Sequence, residues 1–275
     1  MPAFFISIWL LLSKKNTIER VERAIVGYSI IQVYFLLKYY LSGNDFRRLT
    51  IFGLNPIWLA RELGLGTLAS FSIFKGKIGK ILVMSILIFG IFLTRSRGPL
   101  LALAMTLLVL YSIKLFSSKK YKQLAPIIII ITIFLAIIIL DVGMVEYFTR
   151  GESSFLMEKN VRSRINLYIA AWNDFIESPI MGKGIGNYCH QGHNYPHNIF
   201  LELLAETGLI GFILFIIALK PKNMLYFNNT FSLYMLFALL TTMFSGDLEK
   251  NSYLVLFSII LHLEVMKDRN AVKSV

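Results

Sequence analysis

The sequence predicts an all-α fold: a polytopic integral membrane helical bundle with a large extracytoplasmic loop. Hydrophobic residues make up 56% of the 275 residues and charged residues 16%, whereas a soluble domain carries about 25% charged residues. The apolar residues also come in long blocks, close to the ~20 residues that cross the hydrocarbon core as a helix. Residues 1–275 are therefore predicted to form a single membrane domain.

Eight apolar blocks are the predicted spans. They are Ala24–Leu41, Pro56–Phe74, Ile78–Thr94, Pro99–Phe116, Leu124–Val142, Leu203–Leu219, Phe231–Phe244 and Tyr253–Met266. Arg61 and Glu62 interrupt the second block, but it must cross if every basic cluster is to lie on one side. The shorter stretch Phe4–Leu12 has no basic residue before it, unlike a signal peptide. We interpret it as a truncated helix, which predicts a shortened chain.

The basic residues orient these spans, because cytoplasmic loops collect Lys and Arg. The inner clusters are Lys14–Arg23, Lys75–Lys80, Lys119–Lys122, Lys220–Lys222 and Lys267–Lys273. The outer segments are then Ser42–Asn55, Arg95–Gly98, Gly143–Asn198 and Ser245–Ser252. The net charge of +12 thus reports topology and does not indicate a nucleic-acid partner. A single cysteine, Cys189, excludes an intrachain disulfide.

Arginine and lysine are distributed unequally between the two sides. The inner segments, with Lys114, hold thirteen Lys and three Arg, whereas the outer segments, with Arg61, hold eight Arg and three Lys. Topology requires positive charge of either kind, but only the guanidinium fork grips a phosphate with two bonds. Six outer arginines come in pairs: Arg47 with Arg48, Arg95 with Arg97, and Arg162 with Arg164. The last two pairs indicate anion recognition; the alternative is snorkelling to lipid phosphates.

The long outer segment, residues 143–198, is predicted to contain one helix. Ser163 can cap a helix from Arg164 to about Glu177, and Ser178-Pro179 ends it. Its apolar residues fall on one face and predict that the helix lies along the membrane surface. They are Ile165, Tyr168, Ile169, Trp172, Phe175 and Ile176. This assignment places Arg164 in the first turn of the helix.

A glycine pattern follows this helix, at Gly182-Lys183-Gly184-Ile185-Gly186-Asn187. Alternate glycines, Gly184 and Gly186 among them, let a backbone approach a phosphate closely. The pattern neither follows a strand nor opens a helix, so it is not a dinucleotide-binding fingerprint. A plain surface turn explains it equally well, and both interpretations remain open at this point.

Three histidines lie in the same segment: His190, His193 and His197. We expect no metal site, because Pro196 breaks any helix that would align His193 with His197 and because no carboxylate lies nearby. His197 differs from the other two, since Asn198 beside it can cap the next span. It is then predicted at the membrane surface, level with Arg95 and Arg97. A neutral imidazole in that place is a candidate general base.

These features occur in an order that resembles the O-antigen ligase and polymerase superfamily of bacterial polysaccharide assembly. The resemblance covers residues 79–211. It is carried by Ser96-Arg97-Gly98, by Arg164 and Trp172 of the amphipathic helix, by Pro179-Ile180-Met181-Gly182-Lys183-Gly184-Ile185-Gly186, and by His197-Asn198 with Ile199–Gly211. Members usually have ten or more spans, so the resemblance implies that this chain lacks the first few of them.

The resemblance implies a GT-C-like membrane glycosyltransferase that uses no metal or other cofactor, with its active site in residues 143–198. Its donor would be an oligosaccharide on undecaprenyl diphosphate, and its acceptor a hydroxyl of a glycan, lipid or protein. Carried over, His197 matches the family's proposed base, and Arg97 and Arg164 match the arginines proposed to hold the diphosphate. Arg95 and Arg162 are their neighbours. The location implied is the bacterial inner membrane, with the site facing the periplasm or exterior.

Three alternatives remain open. A polymerase that joins repeat units in lipopolysaccharide or exopolysaccharide biosynthesis shares these motifs with a ligase that moves finished glycan. A polysaccharide transporter or flippase would favour buried ionisable residues and broken helices within the membrane. An inactive, truncated member of the family is the third, suggested by the short N-terminal stretch.

Overall fold

The computed structural model describes residues 17–42, 51, 53, 55–117, 153–225, 230–243 and 251–273. Within them the chain forms eight α-helices and no strand. The helices are α1 Thr17–Leu41, α2 Pro56–Ile73, α3 Lys77–Leu93, α4 Arg97–Ser117, α5 Ser153–Glu177, α6 Ile199–Leu219, α7 Thr230–Thr242 and α8 Ser252–Lys273. A 3-10 helix, Pro221–Leu225, follows α6. The predicted all-α class is confirmed.

Seven of the eight predicted spans coincide with helices. Several predictions lie outside the described residues: the stretch Phe4–Leu12, the pair Arg47 and Arg48, Lys119–Lys122, the span Leu124–Val142, and Gly143–Arg150. By length and composition, two described helices are suited to cross a membrane, Glu19–Leu41 and Ile199–Asn223. Shorter apolar helical stretches are Arg97–Ile113, Thr230–Thr242 and Tyr253–Leu263. The number of crossings stays a prediction.

The chain divides into two compact units. The first comprises residues 1–103 and 227–237, and the second comprises residues 104–226 and 238–275. In the first unit, α1, α2 and α3 pack on one another. Glycines allow this close packing: a Cβ on Gly66 would overlap the side chain of Ser29, and one on Gly90 would lie 2.6 Å from Val33 Cγ2.

Several polar side chains inside the first unit contact one another. The amide of Gln32 in α1 donates to the carboxylate of Glu62 in α2, and the hydroxyl of Tyr234 donates to Glu22 Oε1 at 3.1 Å. The guanidinium of Arg61, itself buried, stacks over the Trp58 ring at 4.5 Å. These contacts explain how α2 accommodates two charged residues in an apolar sequence.

In the second unit, α5 packs on the first half of α6. The buried residues Leu167, Ala171, Tyr188 and Ala205 form the core between them. At the other end of α6 the chain turns at Lys220, whose φ is +44°, and the ammonium of Lys220 lies 2.7 Å from His262 Nε2 in α8. Both ends of α6 are therefore fixed to neighbouring elements of the same unit.

The close helix packing predicts different effects for two glycine substitutions. Gly90→Ala and Gly27→Ala each gain about 1 kcal/mol of helix propensity. Only the first meets a neighbour, because nothing lies within 4 Å of a Cβ on Gly27. We expect Gly90→Ala to be less stable than Gly27→Ala by about 1–3 kcal/mol, the usual cost of overpacking. Thermal unfolding of the two variants in the same detergent measures this difference, and equal midpoints would refute the packing.

Candidate functional site

Helix α5, which carries Arg164, begins earlier than the sequence predicted. It starts at Ser153 and not after Ser163. Arg164 therefore lies about half-way along the helix, and its predicted position in the first turn is wrong. Residues 153–162 contain no Pro or Gly, so nothing in them breaks a helix. The predicted end is confirmed, since α5 stops at Glu177 before Ser178-Pro179.

The two faces of α5 have different surroundings. Leu167 and Ala171 are buried against α6. On the opposite side, four members of the predicted apolar face are exposed: Ile165, Ile169, Trp172 and Ile176. Tyr168 and Phe175 are partly buried. The helix is thus attached to the unit by one face and presents an apolar stripe on the other, and its position on a membrane surface stays a prediction.

The loop that follows α5, residues 179–187, docks on a break in α6. We call it the glycine loop. At Gly208, φ is +63° and ψ is −164°, and the helical hydrogen-bond pattern is interrupted there. Four backbone hydrogen bonds join the loop to this break: Lys183 N to Ala205 O at 2.9 Å, Gly184 N to Glu206 O at 2.9 Å, Leu209 N to Pro179 O at 2.9 Å, and Ile210 N to Ile180 O at 3.3 Å. Each segment supplies the partners that the other lacks.

Glycine is required at both sides of this contact. A Cβ on Gly208 would overlap the carbonyl of Ile180, and a Cβ on Gly182 would overlap the backbone of Glu206. Both glycines also have positive φ, +63° and +71°, a conformation that costs residues with a Cβ about 1–2 kcal/mol. The glycine pattern therefore serves a close approach of backbone to backbone.

The side chain of Glu206 completes the docking. It is buried, and its Oε2 accepts from Gly186 N at 2.9 Å while Oε1 accepts from Tyr188 N at 3.4 Å. The amide groups of Gly184 and Gly186 thus both donate to α6, which favours a positioning role over the phosphate-binding interpretation. The sequence analysis did not single out Glu206; its only signal was a carboxylate within an apolar span.

Residues 190–197, here called the histidine segment, contain a tight hairpin. His190 and His193 exchange two backbone hydrogen bonds, of 3.0 and 2.9 Å. The residues between them, Gln191 and Gly192, have φ values of +53° and +75°, as in the turns typical of two-residue hairpins. His190 Nε2 lies 2.7 Å from Asp174 Oδ2. The expectation that no carboxylate is near these histidines is wrong, because the chain reverses after α5 and returns beside it.

His197 stands at the entrance of α6. Its φ is +61°, and its half-buried ring makes edge contacts with the rings of Tyr195 and His193, at centroid distances of 4.6 and 5.6 Å. Its Nδ1 atom is buried and has no hydrogen-bond partner among the described residues. The predicted cap is present: Asn198 Oδ1 accepts from Phe200 N at 3.0 Å and from Leu201 N at 3.3 Å.

The surroundings of His197 keep its imidazole neutral. Burial is the largest cause, followed by the positive charge of Arg164 and then by His193; together they lower the pKa of His197 from 6.5 to about 4. The side chain of Arg164 is exposed, but it is close enough for its charge to act on the ring. The charge of Arg164 therefore acts on His197, and a ring nitrogen of His197 is unprotonated at neutral pH.

The other predicted arginines are placed as follows. Arg95 and Arg97 are exposed and flank the turn between α3 and α4, where Thr94 Oγ1 accepts from Ser96 N at 3.2 Å. They belong to the first unit, whereas Arg164 and His197 belong to the second. Pro99 lies in the first turn of α4. Arg162 lies in α5, and its side chain is outside the described residues.

The docking of the glycine loop predicts unequal effects of two matched substitutions. Gly182→Ala and Gly186→Ala carry the same cost of positive φ, at +71° and +75°. Only Gly182 meets backbone atoms, since nothing lies within 4 Å of a Cβ on Gly186. We expect the Gly182 variant to be clearly less stable and more sensitive to protease between residues 178 and 198. Equal protease sensitivity of the two purified variants would argue against the docked loop.

Comparison with known proteins places this site in a family. The family model described as O-antigen ligase matches residues 82–216. Comparisons with curated proteins and with solved structures give no significant match. The matched segment contains α4, α5, the glycine loop, His197 and most of α6, with the arginine pairs 95/97 and 162/164. Residues 82–216 therefore belong to the O-antigen ligase family.

Proposed function

We propose that this chain is a membrane glycosyltransferase that transfers a glycan from undecaprenyl diphosphate to an acceptor hydroxyl. His197 acts as general base, and Arg164, Arg97, Arg95 and Arg162 hold the diphosphate. The reaction needs no metal. The site faces the outer side of the bacterial inner membrane, which is the side that the Arg-rich segments occupy in the predicted topology.

The pairing of His197 with Arg164 is the observation that carries this proposal. The guanidinium charge acts on a neutral imidazole, so we infer that one group accepts a proton while the other binds an anion. Both lie in the segment that matches the O-antigen ligase family. An exposed guanidinium can grip a phosphate with two parallel hydrogen bonds, which suits a lipid-linked diphosphate better than a neutral sugar.

The chemistry requires both groups. The acceptor oxygen forms a bond to the anomeric carbon of the donor sugar, and the bond from that carbon to the diphosphate oxygen breaks. The diphosphate leaves with the bonding electron pair, and fixed cations stabilise its growing charge. The proton of the acceptor hydroxyl passes to His197, and a positioned base of this kind contributes about 10²–10⁴-fold to the rate.

The low pKa of His197 has a consequence for the order of events. A base with a pKa of about 4 is a poor proton acceptor at neutral pH. A diphosphate bound to Arg164 offsets the guanidinium charge and places negative charge near the ring, so it raises the pKa of His197. The donor therefore improves the base that will act on the acceptor.

The break in α6 does not favour the transporter alternative. Broken helices in transporters leave backbone groups available to bind substrates or ions. At Gly208 the freed carbonyls of Ala205 and Glu206 accept from the glycine loop, and the amides of Leu209 and Ile210 donate to it. The groups that would bind a transported ion are thus used within the protein. Ligase and polymerase activities remain two forms of the same proposed transfer.

Replacement of His197 distinguishes a role as general base from a purely structural role. His197→Ala should reach normal levels in the membrane and still bind the lipid-linked donor, because the diphosphate belongs to the arginines. Transfer should fall by about 10²–10⁴-fold. The measurement is transfer by purified protein in proteoliposomes, beside donor binding in the same preparation.

Two further variants control this result. His262→Ala removes an imidazole at the opposite end of α6, where it contacts Lys220, and should leave transfer unchanged. His197→Gln keeps hydrogen-bonding capacity without proton chemistry, and it should be as inactive as the Ala variant. Near-normal transfer by the Gln variant would end the assignment of His197 as base.

The pH dependence tests the link between donor and base. Transfer falls as pH drops through the pKa of His197, because the protonated ring cannot accept a proton. The acid side of the pH profile of kcat/KM reports the pKa of His197 in the free protein, which is about 4. The acid side of the pH profile of kcat reports the pKa of His197 in the donor complex. We expect the fall in kcat to occur at higher pH than the fall in kcat/KM. Arg164→Gln should move the acid side of the kcat/KM profile upward, since loss of a cation favours protonation; an unmoved profile would contradict the pairing.

A further inference from the structure

One buried carboxylate near the site has no part in the proposed transfer. Asp174 lies on the buried side of α5 and is 4% exposed. Its Oδ1 accepts from Lys183 Nζ at 2.5 Å, and its Oδ2 lies 2.7 Å from His190 Nε2. Burial by itself would raise the pKa of Asp174, but the hydrogen bonds from Lys183 and His190 outweigh it, and the pKa is lowered. Asp174 is therefore an anionic acceptor between two donors.

This contact fixes the ring of His190. A carboxylate can only accept hydrogen bonds, so Nε2 of His190 must carry the hydrogen that faces Asp174. The ring also makes an edge contact with Tyr188, at a centroid distance of 4.9 Å, and Tyr188 is anchored by its own hydroxyl to Leu167 O at 2.8 Å. His190 is thus held on two sides by parts of α5 and its core.

The hairpin transmits this position to His193. His190 and His193 are joined by two backbone hydrogen bonds across a turn with two positive φ values. A hairpin this short has no freedom to shift its register. Because His190 is fixed to α5, the place of His193 relative to α5 is also fixed.

The ring of His197 is held by contacts with neighbouring rings. Its Nδ1 has no hydrogen-bond partner among the described residues, and its backbone has a φ of +61°. The ring of His197 contacts the rings of His193 and Tyr195. The orientation of His197 therefore follows the positions of these two rings.

We propose that Asp174 is a positioning residue for His197. Asp174 holds His190, the two-residue hairpin fixes His193 relative to His190, and His193 contacts the ring of His197. This inference rests on the proposed function only for its effect on transfer. Lys183, the second partner of Asp174, lies outside the path. Its side chain also binds Glu177, at 2.7 Å, so Lys183→Met is a matched control that removes a charged partner of Asp174 without touching His190.

The test compares three variants of the full chain in nanodiscs: Asp174→Asn, His190→Gln and Lys183→Met. The ring signal of His197, in protein labelled with ¹⁵N-histidine and assigned with His197→Gln, reads the geometry without any need for activity. We expect this signal to shift in the first two variants and to stay unchanged in the third. An unmoved signal in Asp174→Asn, or an equal shift in Lys183→Met, would overturn the proposal.

Transfer kinetics provide the second measurement. Asp174→Asn should lower kcat by about 10–100-fold, the usual range for a misplaced reacting group, while KM for the donor stays unchanged. The double variant with His190→Gln should lose no more than either single variant, since both act through one path. Additive losses would show that Asp174 acts elsewhere and overturn the proposal. If His197→Gln retains transfer, the proposed function fails, and the His197 signal still decides the position of Asp174.

Discussion

The docking of the glycine loop on the break in α6 is the constraint on which the rest of the site depends. A broken helix leaves backbone groups without partners, at about 1–3 kcal/mol for each buried one. The loop supplies these partners and receives its own from α6. Gly182 and Gly208 permit the approach because neither has a Cβ. The end of α5 and the start of α6 are thereby held together, and the histidine segment between them has both its ends fixed.

Within this frame, burial and charge act on His197 in the same direction. The partly buried ring disfavours its charged form, and the guanidinium of Arg164 adds to the effect. The guanidinium of Arg164, a group suited to binding phosphate, therefore lowers the proton affinity of the His197 imidazole. In the proposed transfer, the diphosphate of the donor would offset the guanidinium charge, so the proposed base becomes effective once the donor is bound.

Two buried carboxylates, Asp174 and Glu206, support the site through internal contacts. Asp174 accepts from Lys183 and His190, and Glu206 accepts from the amides of Gly186 and Tyr188. Each of their four oxygens has a donor within the second unit. Buried carboxylates satisfied in this way stabilise local geometry.

The sequence by itself determined the helical class, the positions of seven apolar helices, the end of α5 before Pro179 and the cap at Asn198. Each of these follows from local rules, namely block length, caps and helix breakers. Local rules also misplaced the start of α5, since Ser163 is acceptable both as a cap and inside a helix. Only the tertiary structure joined Asp174 to His190, docked the loop on Gly208 and lowered the pKa of His197. These features depend on residues 16 to 33 positions apart, which a reversal of the chain brings together and which no spacing in the sequence reveals.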